Sequence, residues 1–196
     1  MPDHLQAYRQ TWADLHPDWE HRLWGEADLT WLQNRELFDN AEDFTEHVGQ
    51  FRSDVARYEI LRLLGGVYVD CDMEARRPID ELLGCDVFVC RETPKFLGNT
   101  VIGSVREHPF LVDLVDLLPA RVAATKGNGW RPNRITGPHY LTTVAERHDV
   151  TVYPTGHFFP YGWNELERAG EDFSDAYAVH HWDNQRKLRN QPREVV

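Results

Sequence analysis

The sequence is poor in cysteine, in positive charge and in long apolar runs. Its 196 residues include three cysteines, Cys71, Cys85 and Cys90, whose spacing fits neither a zinc site nor a disulfide framework. No apolar stretch approaches the twenty residues of a membrane span, and no basic segment followed by an apolar one indicates a signal peptide. These absences predict a cytoplasmic protein with a single domain over residues 1–196, in which 186–196 form a basic tail.

The charge balance restricts the possible partners. Thirty-two Asp and Glu residues face 21 Lys and Arg residues, which gives a formal net charge of −11. Because phosphate neutralisation needs clustered cations, nucleic acid is not expected as a partner. An anionic ligand would need a metal ion or a local basic patch, and residues 126–134 hold three bases and no acid.

Apolar residues at helical spacing alternate along the chain with short β-branched stretches, which predicts an α/β fold. Leu5, Tyr8, Trp12 and Leu15 predict a first helix, and one or two polar helices are expected within 26–50. Ser53 is expected to cap a further helix that Gly65 and Gly66 end. The remaining helices are expected at 108–118 and 138–148. Strands are expected at 19–24, 67–72, 87–92, 100–104 and 150–154.

Asp70 and Asp72 stand at the end of the apolar stretch 67–72. In a strand they would point the same way with Cα atoms about 7 Å apart. Two such carboxylates repel each other, but they can share a divalent cation such as Mg²⁺ or Mn²⁺. Two ordinary surface acids at a strand end are the alternative, since a D-x-D pattern is common.

Asp54 and Arg57 lie three residues apart on the helix that leads into this acidic pair. A carboxylate can accept hydrogen bonds from sugar hydroxyls, and a guanidinium can hold a hydroxyl or phosphate oxygen. A surface ion pair worth a few tenths of a kcal/mol is the other interpretation.

The run FRSDVARYEILRLLGGVYVDCD (51–72) resembles the signature of glycosyltransferases with a DXD sugar-binding region, a family that includes initiating α-1,6-mannosyltransferases and capsular polysaccharide transferases. Further matching segments extend the resemblance over roughly residues 12–186. They are HPDWEHRLW (16–24), Asn99 with HPF (108–110), TGPHYLT (136–142) and AYAVHHW (176–182).

The resemblance implies a GT-A-type, Rossmann-like fold and retaining, metal-dependent transfer of a hexose from a UDP- or GDP-linked donor to a glycan, lipid or protein. Asp70 and Asp72 would hold Mn²⁺ or Mg²⁺ on the donor diphosphate, with His180 or His181 completing the metal or phosphate side. Catalysis is assigned to Asp70, Asp72 and Arg57. Donor binding is assigned to Asp54, Arg57, Tyr58, Asn99, His180 and His181.

The sequence departs from the family pattern at two places. Family members carry an apolar strand ahead of the segment that here starts at Met1-Pro2, so the fold is expected to lack its first strand and to bind donor weakly or form a homo-oligomer. Near the other end, Asn184-Gln185-Arg186 replaces the usual Gly-Ser-Trp, and Arg186 is a candidate phosphate contact.

Two other functions stay open at this point. Both departures are compatible with a degenerate protein that binds sugar nucleotides without turning them over. VYVDCDME also suits a metal-dependent phosphohydrolase in which the D-x-D pair supplies nucleophile and acid, although no later acidic pair at a strand end supports it.

Overall fold

The computed structural model describes residues 1–184 and confirms the α/β class. Arg186 and the predicted tail lie outside the described residues. The α-helices within residues 1–184 are α1 (Asp3–Leu15), α2 (Arg35–Asp39), α3 (Val48–Leu64), α4 (Pro109–Asp116), α5 (Leu118–Thr125), α6 (Pro132–Ile135) and α7 (Pro138–Ala145). The strands are β1 (Gly66–Val69), β2 (Met73–Ala75), β3 (Val87–Arg91), β4 (Leu97–Ser104), β5 (Thr151–Tyr153) and β6 (Ala178–His180).

The chain divides into two compact units, each built from separate segments. Of the described residues, the first unit contains 1–21, 70–82 and 154–184. The second unit contains residues 22–69 and 83–153. The backbone passes from the second unit to the first between Val69 and Asp70, within the predicted D-x-D stretch.

The second unit contains a four-stranded sheet in the order β1-β4-β3-β5. The β1–β4 and β4–β3 pairs are antiparallel, and β3 and β5 are parallel. Every residue of β4 is buried, so both faces of this strand are covered, including those that carry Asn99 and Thr100. The strands predicted at 87–92, 100–104 and 150–154 are thereby confirmed, with β4 starting three residues earlier than expected.

Helix α3 supplies much of the apolar core of this unit. Phe51, Val55, Tyr58 and Leu61 recur at helical spacing and are buried. The predicted end of the helix is confirmed: Gly65 has a φ of 70°, and a Cβ there would lie 2.8 Å from the backbone nitrogen of Arg106. The predicted start was wrong, because the helix begins at Val48 and Ser53 lies inside it. Asp54 therefore lies in the second turn and not at the positive end of the helix.

The first unit places α1 against a small antiparallel sheet of β2 and β6. The predicted first helix is confirmed, and its buried residue Trp12 donates from Nε1 to the carbonyl of Met73 (2.9 Å). His16 extends this attachment, since its Nε2 accepts from the backbone nitrogen of Ile79 (3.0 Å). Neither β2 nor β6 was predicted, because β2 contains no β-branched residue and β6 contains only one.

The strand predicted at 19–24 was wrong, since residues 19–24 contain no strand. Trp19 instead closes a turn by donating from its backbone nitrogen to the carbonyl of His16 (3.1 Å). Farther along, the guanidinium of Arg22 lies over the ring of Trp24 (3.7 Å). Trp19 and Trp24, which the predicted strand would have placed in a sheet, thus make contacts with residues close in the sequence. Within 26–50, the predicted polar helices correspond to α2 and the first turn of α3.

The longest helix in residues 1–184 is α3, with 17 residues. None of the helices in that range has both the length and the apolar character needed to cross a bilayer.

A Gly103→Ala substitution tests the packing at the centre of the sheet. A Cβ at this position would lie 2.6 Å from Cδ1 of Phe88 on the neighbouring strand, so the aromatic ring or the backbone must shift. We expect unfolding by denaturant to show a loss of about 1–3 kcal/mol, the range seen for overpacked cores. Gly84→Ala is the matched control, because no atom lies within 4 Å of its added Cβ. Equal unfolding midpoints for the two variants would contradict the described register of β3 and β4.

Candidate functional site

The predicted site residues form two groups, one in each unit. Asp70, Asp72 and His180 belong to the first unit. Asp54, Arg57, Tyr58 and Asn99 belong to the second. Each group has its own internal contacts and its own charge balance.

The acidic pair of the first unit lies in a turn and not within a strand. Strand β1 ends at Val69, and the backbone nitrogen of Met73 then donates to the carbonyl of Asp70 (3.1 Å), which reverses the chain before β2. The expectation that strand alternation aligns the two carboxylates was therefore wrong. The turn itself brings them close, because the ligand atoms offered by Asp70, Asp72 and His180 all lie within 4.8 Å of one another.

His180 reaches this turn through the pairing of β6 with β2, in which it lies opposite Met73. Its Nε2 lies 3.2 Å from Oδ1 of Asp72, and the residue is 6% exposed. This contact joins residues 108 positions apart in the sequence.

Asp72 is held at all three of its oxygen atoms. Its Oδ1 faces His180, its Oδ2 accepts from the backbone nitrogen of Asp183 (3.0 Å), and its carbonyl accepts from the backbone nitrogen of His181 (2.9 Å). Burial raises the pKa of the Asp72 carboxyl, but His180 and the Asp183 N–H outweigh it and lower the pKa from 3.8 to about 2. Asp72 is therefore ionised at neutral pH.

The chemistry of this donor set suits a divalent cation. Carboxylate oxygens favour Mg²⁺ and Mn²⁺, and an imidazole nitrogen is a common ligand of transition-metal ions. Two carboxylates and one imidazole also carry more negative than positive charge, whichever state the imidazole adopts. The residues present thus fit Mn²⁺ or Mg²⁺.

The two adjacent histidines face different partners. While His180 lies beside Asp72, Nε2 of His181 lies 2.8 Å from Oε2 of Glu74, and its ring stacks on Tyr8 of α1 with a centroid separation of 4.3 Å. Sequence reasoning missed Glu74 and Tyr8, because nothing in their spacing links them to residue 181.

The group in the second unit surrounds a buried ion pair. Nη2 of Arg57 lies 3.2 Å from Oδ1 of Asp54, and the two side chains are 3% and 2% exposed. Asn99 donates to Oδ1 of Asp54 (2.8 Å), and the Thr136 hydroxyl donates to its Oδ2 (2.6 Å). The carboxylate therefore has partners on both oxygens, as a buried charge requires.

Arg57 is fixed by several partners besides Asp54. Its Nε donates to the carbonyl of Ser53 (3.2 Å), its Nη1 donates to the carbonyl of Asn99, and its guanidinium lies over the ring of Tyr68 (4.6 Å). Asp54, Arg57 and Asn99 therefore lie together in one hydrogen-bonded group.

Tyr58 is fully buried in this group. Its hydroxyl donates to the carbonyl of Thr136 (2.7 Å) and accepts from Asn99 (3.3 Å). Burial and, after it, the charge of Asp54 raise the pKa of Tyr58 well above its ordinary value of 10. Thr136 was not predicted as a site residue, although the segment TGPHYLT that contains it was part of the family resemblance.

Residues 2–89 match the family model described as "Glycosyltransferase sugar-binding region containing DXD motif". The matched range includes both members of the acidic pair and both members of the buried ion pair. Residues 2–89 are similar to a DXD glycosyltransferase region. The family resemblance predicted from the sequence is thereby confirmed.

Several curated relatives of this DXD region are mannosyltransferases by name. Inositol phosphoceramide mannosyltransferase 3 of Schizosaccharomyces pombe is 34% identical over 127 residues, which are 61% of this chain and 34% of that protein. Inositol phosphoceramide mannosyltransferase 2 of the same yeast is 28% identical over 186 residues, or 90% of this chain and 52% of that protein. The initiation-specific alpha-1,6-mannosyltransferase of Candida albicans is 31% identical over 158 residues, which are 78% and 39% of the two chains. The alignments with these three relatives thus span between a third and about half of each relative's length.

Asp54→Asn tests how far the second group depends on its ion pair. The substitution keeps the side-chain shape but removes the negative charge that lies 3.2 Å from the buried Arg57 guanidinium. We expect denaturant unfolding of the ligand-free protein to show a loss of about 3–5 kcal/mol, as for other broken buried pairs.

Asp39→Asn is the matched control for this substitution. It removes an Arg35–Asp39 pair on another helix, in which the aspartate side chain is 49% exposed. Exposed pairs of this kind contribute about 0–1 kcal/mol. Similar losses in the two variants would show that the buried pair adds nothing beyond a surface contact.

Proposed function

We propose that this protein is a metal-dependent glycosyltransferase that moves a hexose from a nucleotide-diphospho-sugar to an acceptor. The observation that carries the proposal is the Asp70–Asp72–His180 group, which offers three metal ligands within 4.8 Å and contains the D-x-D pair of a matched DXD region. A D-x-D pair without the histidine would support the proposal much less, because the pattern alone is common.

Asp70, Asp72 and His180 would hold Mn²⁺ or Mg²⁺. The ion would supply positive charge to a donor diphosphate and stabilise the negative charge that develops on it as the sugar leaves. The positive charge of the ion would offset the protein's net charge of −11, which otherwise repels a diphosphate. The low pKa of Asp72 means that protons do not compete for this ligand at neutral pH.

Asp54 and Arg57 would hold the sugar of the donor through its hydroxyls. The support for this role is that Asn99, Thr136 and the Ser53 carbonyl already fix both charged groups in one geometry. Groups that are fixed before binding lose little conformational entropy when a ligand arrives.

Mannose is the hexose that we propose, because several of the relatives are named mannosyltransferases. Among the common mannosyl donors this favours a GDP-linked sugar over a UDP-linked one. The acceptor would be a glycan, a lipid or a protein. Retention of the anomeric configuration is part of the proposal through the family resemblance, with the departing phosphate taking the proton of the acceptor hydroxyl.

The deciding experiment is calorimetric titration of GDP and UDP into the full chain, with and without Mn²⁺, followed by hydrolysis assays. A transferase should bind one nucleotide in a metal-dependent way and hydrolyse the corresponding nucleotide sugar slowly. NMR of the first-formed sugar would then report its anomeric configuration. Binding without turnover would identify a degenerate sugar-nucleotide protein, and a preference for phosphomonoesters would identify a phosphohydrolase. Either result would overturn the proposal.

Asp72→Asn should abolish metal-dependent turnover while leaving the protein folded. The variant keeps acceptors for the Asp183 and His181 N–H groups but loses the charge that a divalent cation requires. We expect activity to fall by at least about a hundredfold, because loss of a residue behind a metal ligand already costs about 10–100-fold and Asp72 would be a ligand itself. Asp18→Asn, at an exposed aspartate of the same unit, is the control and should keep full activity. Wild-type rates for Asp72→Asn would refute the metal assignment.

Arg57→Lys should lower turnover without affecting the metal group. A lysine ammonium cannot donate simultaneously to the Ser53 carbonyl, the Asn99 carbonyl and Asp54 as the planar guanidinium does. We expect kcat/KM to fall by about two orders of magnitude or more, in line with the loss of a positioning contact. Arg52→Lys, on the same helix but partly exposed, should change it little. A normal kcat/KM for Arg57→Lys would argue against a role for Arg57 in donor binding.

A further inference from the structure

The second histidine of the doublet belongs to a cluster of its own, formed by Tyr8, Glu74 and His181. The rings of Tyr8 and His181 are nearly parallel, with an interplanar angle of 7° and a centroid separation of 4.3 Å. Nε2 of His181 lies 2.8 Å from Glu74, and Glu74 also pairs with Arg76 (3.1 Å). None of these three residues belongs to the group of potential metal ligands.

This cluster connects directly to the backbone that orients Asp72. The backbone nitrogen of His181 donates to the carbonyl of Asp72, and two residues later the nitrogen of Asp183 donates to its Oδ2. The position of residues 181–183 therefore sets the direction of the Asp72 carboxylate. The side chain of His181 attaches this segment to α1 through Tyr8 and to β2 through Glu74.

A second contact attaches the same segment to α1. Nε2 of His4 is hydrogen-bonded to Oδ2 of Asp183, one turn before Tyr8 on the helix. Helix α1 thus contacts both ends of the segment 181–183, with Tyr8 against His181 and His4 against Asp183. Trp12, one turn farther along, holds the helix to β2 at the carbonyl of Met73.

The Glu74 carboxylate has two partners. Its Oε2 lies 2.8 Å from Nε2 of His181 and 3.1 Å from Nη2 of Arg76. A carboxylate that accepts from a histidine fixes the orientation of the imidazole, as residues behind metal ligands commonly do.

We infer that Tyr8, Glu74 and His181 are positioning residues for the metal group: they fix the segment 181–183 and through it the carboxylate of Asp72. This inference rests on the metal site of the proposed function. In this arrangement His180 is the histidine that serves as a ligand, and His181 acts through the backbone. Outer-shell partners of this kind typically change metal affinity by about 10–100-fold when they are removed.

The test is titration of Mn²⁺ into the full chain with no nucleotide present. Binding is measured either by calorimetry or by the EPR signal of the free ion. Tyr8→Ala removes the stack and should weaken the Kd for Mn²⁺ by about tenfold or more. Tyr8→Phe keeps the ring and should bind within about twofold of wild type. At saturating Mn²⁺, Tyr8→Ala should recover most of its kcat, because the ligands themselves are unchanged.

Leu5→Ala is the matched control on the same helix face, since it truncates another partly buried side chain of α1. It should lower stability without changing the Kd. Should Tyr8→Ala fail to fold, Glu74→Gln provides the same test from the other side of the His181 ring, with the same expected weakening.

The outcomes distinguish this inference from the proposed function. If wild-type protein binds no Mn²⁺, the proposed metal site is wrong and the inference falls with it. If wild type binds and Tyr8→Ala and Glu74→Gln bind equally well, the metal site stands and the positioning role is overturned. Weakening by Leu5→Ala to the same extent as Tyr8→Ala would also overturn it, because general loosening of α1 would then explain the effect.

Discussion

Two carboxylates held as close together as Asp70 and Asp72 repel each other, and the local structure of the first unit is arranged around that repulsion. The turn between β1 and β2 places them side by side, while β6 brings an imidazole and two backbone N–H groups to Asp72. The pairing of β2 with β6 and the packing of α1 on β2 both serve to hold these donors in place. Without them, an ionised carboxylate as buried as Asp72 would be costly.

Asp54, the buried carboxylate of the second unit, is balanced by a different set of partners from those of Asp72. Asp54 is matched by one guanidinium and two neutral donors, so that its group carries no excess charge. The Asp70–Asp72–His180 group keeps an excess of negative charge even with its imidazole protonated. A group with residual negative charge suits a cation, whereas the charge of Asp54 is already balanced by Arg57.

The elements that the sequence predicts well are those whose signals are local. Helix α1 follows from four apolar residues at helical spacing, β3 and β4 follow from β-branched runs, and the end of α3 follows from a glycine that adopts a positive φ. The start of α3 was misplaced, because Ser53 offers a capping side chain at a position that tertiary packing keeps helical. The stretch 19–24 was expected to form a strand, but Trp19 and Trp24 make contacts with residues close in the sequence and no strand forms there.

The site shows the same division between local and non-local information. Asp54 and Arg57 pair within one helix, and Asp70 and Asp72 lie within one turn, so each pair is close in space because its members are close in the sequence. For Asp70 and Asp72 the turn replaces the strand that was expected. The contacts that give each pair its properties come from far along the chain: His180 lies 108 positions from Asp72, and Thr136 lies 82 positions from Asp54. A single hydrogen bond between residues so far apart produces no periodic pattern in the sequence. Partners such as His180 can therefore be anticipated only through family resemblance. A geometry that depends on contacts so distant in sequence depends equally on residues, such as Tyr8 and Glu74, that carry no recognisable motif at all.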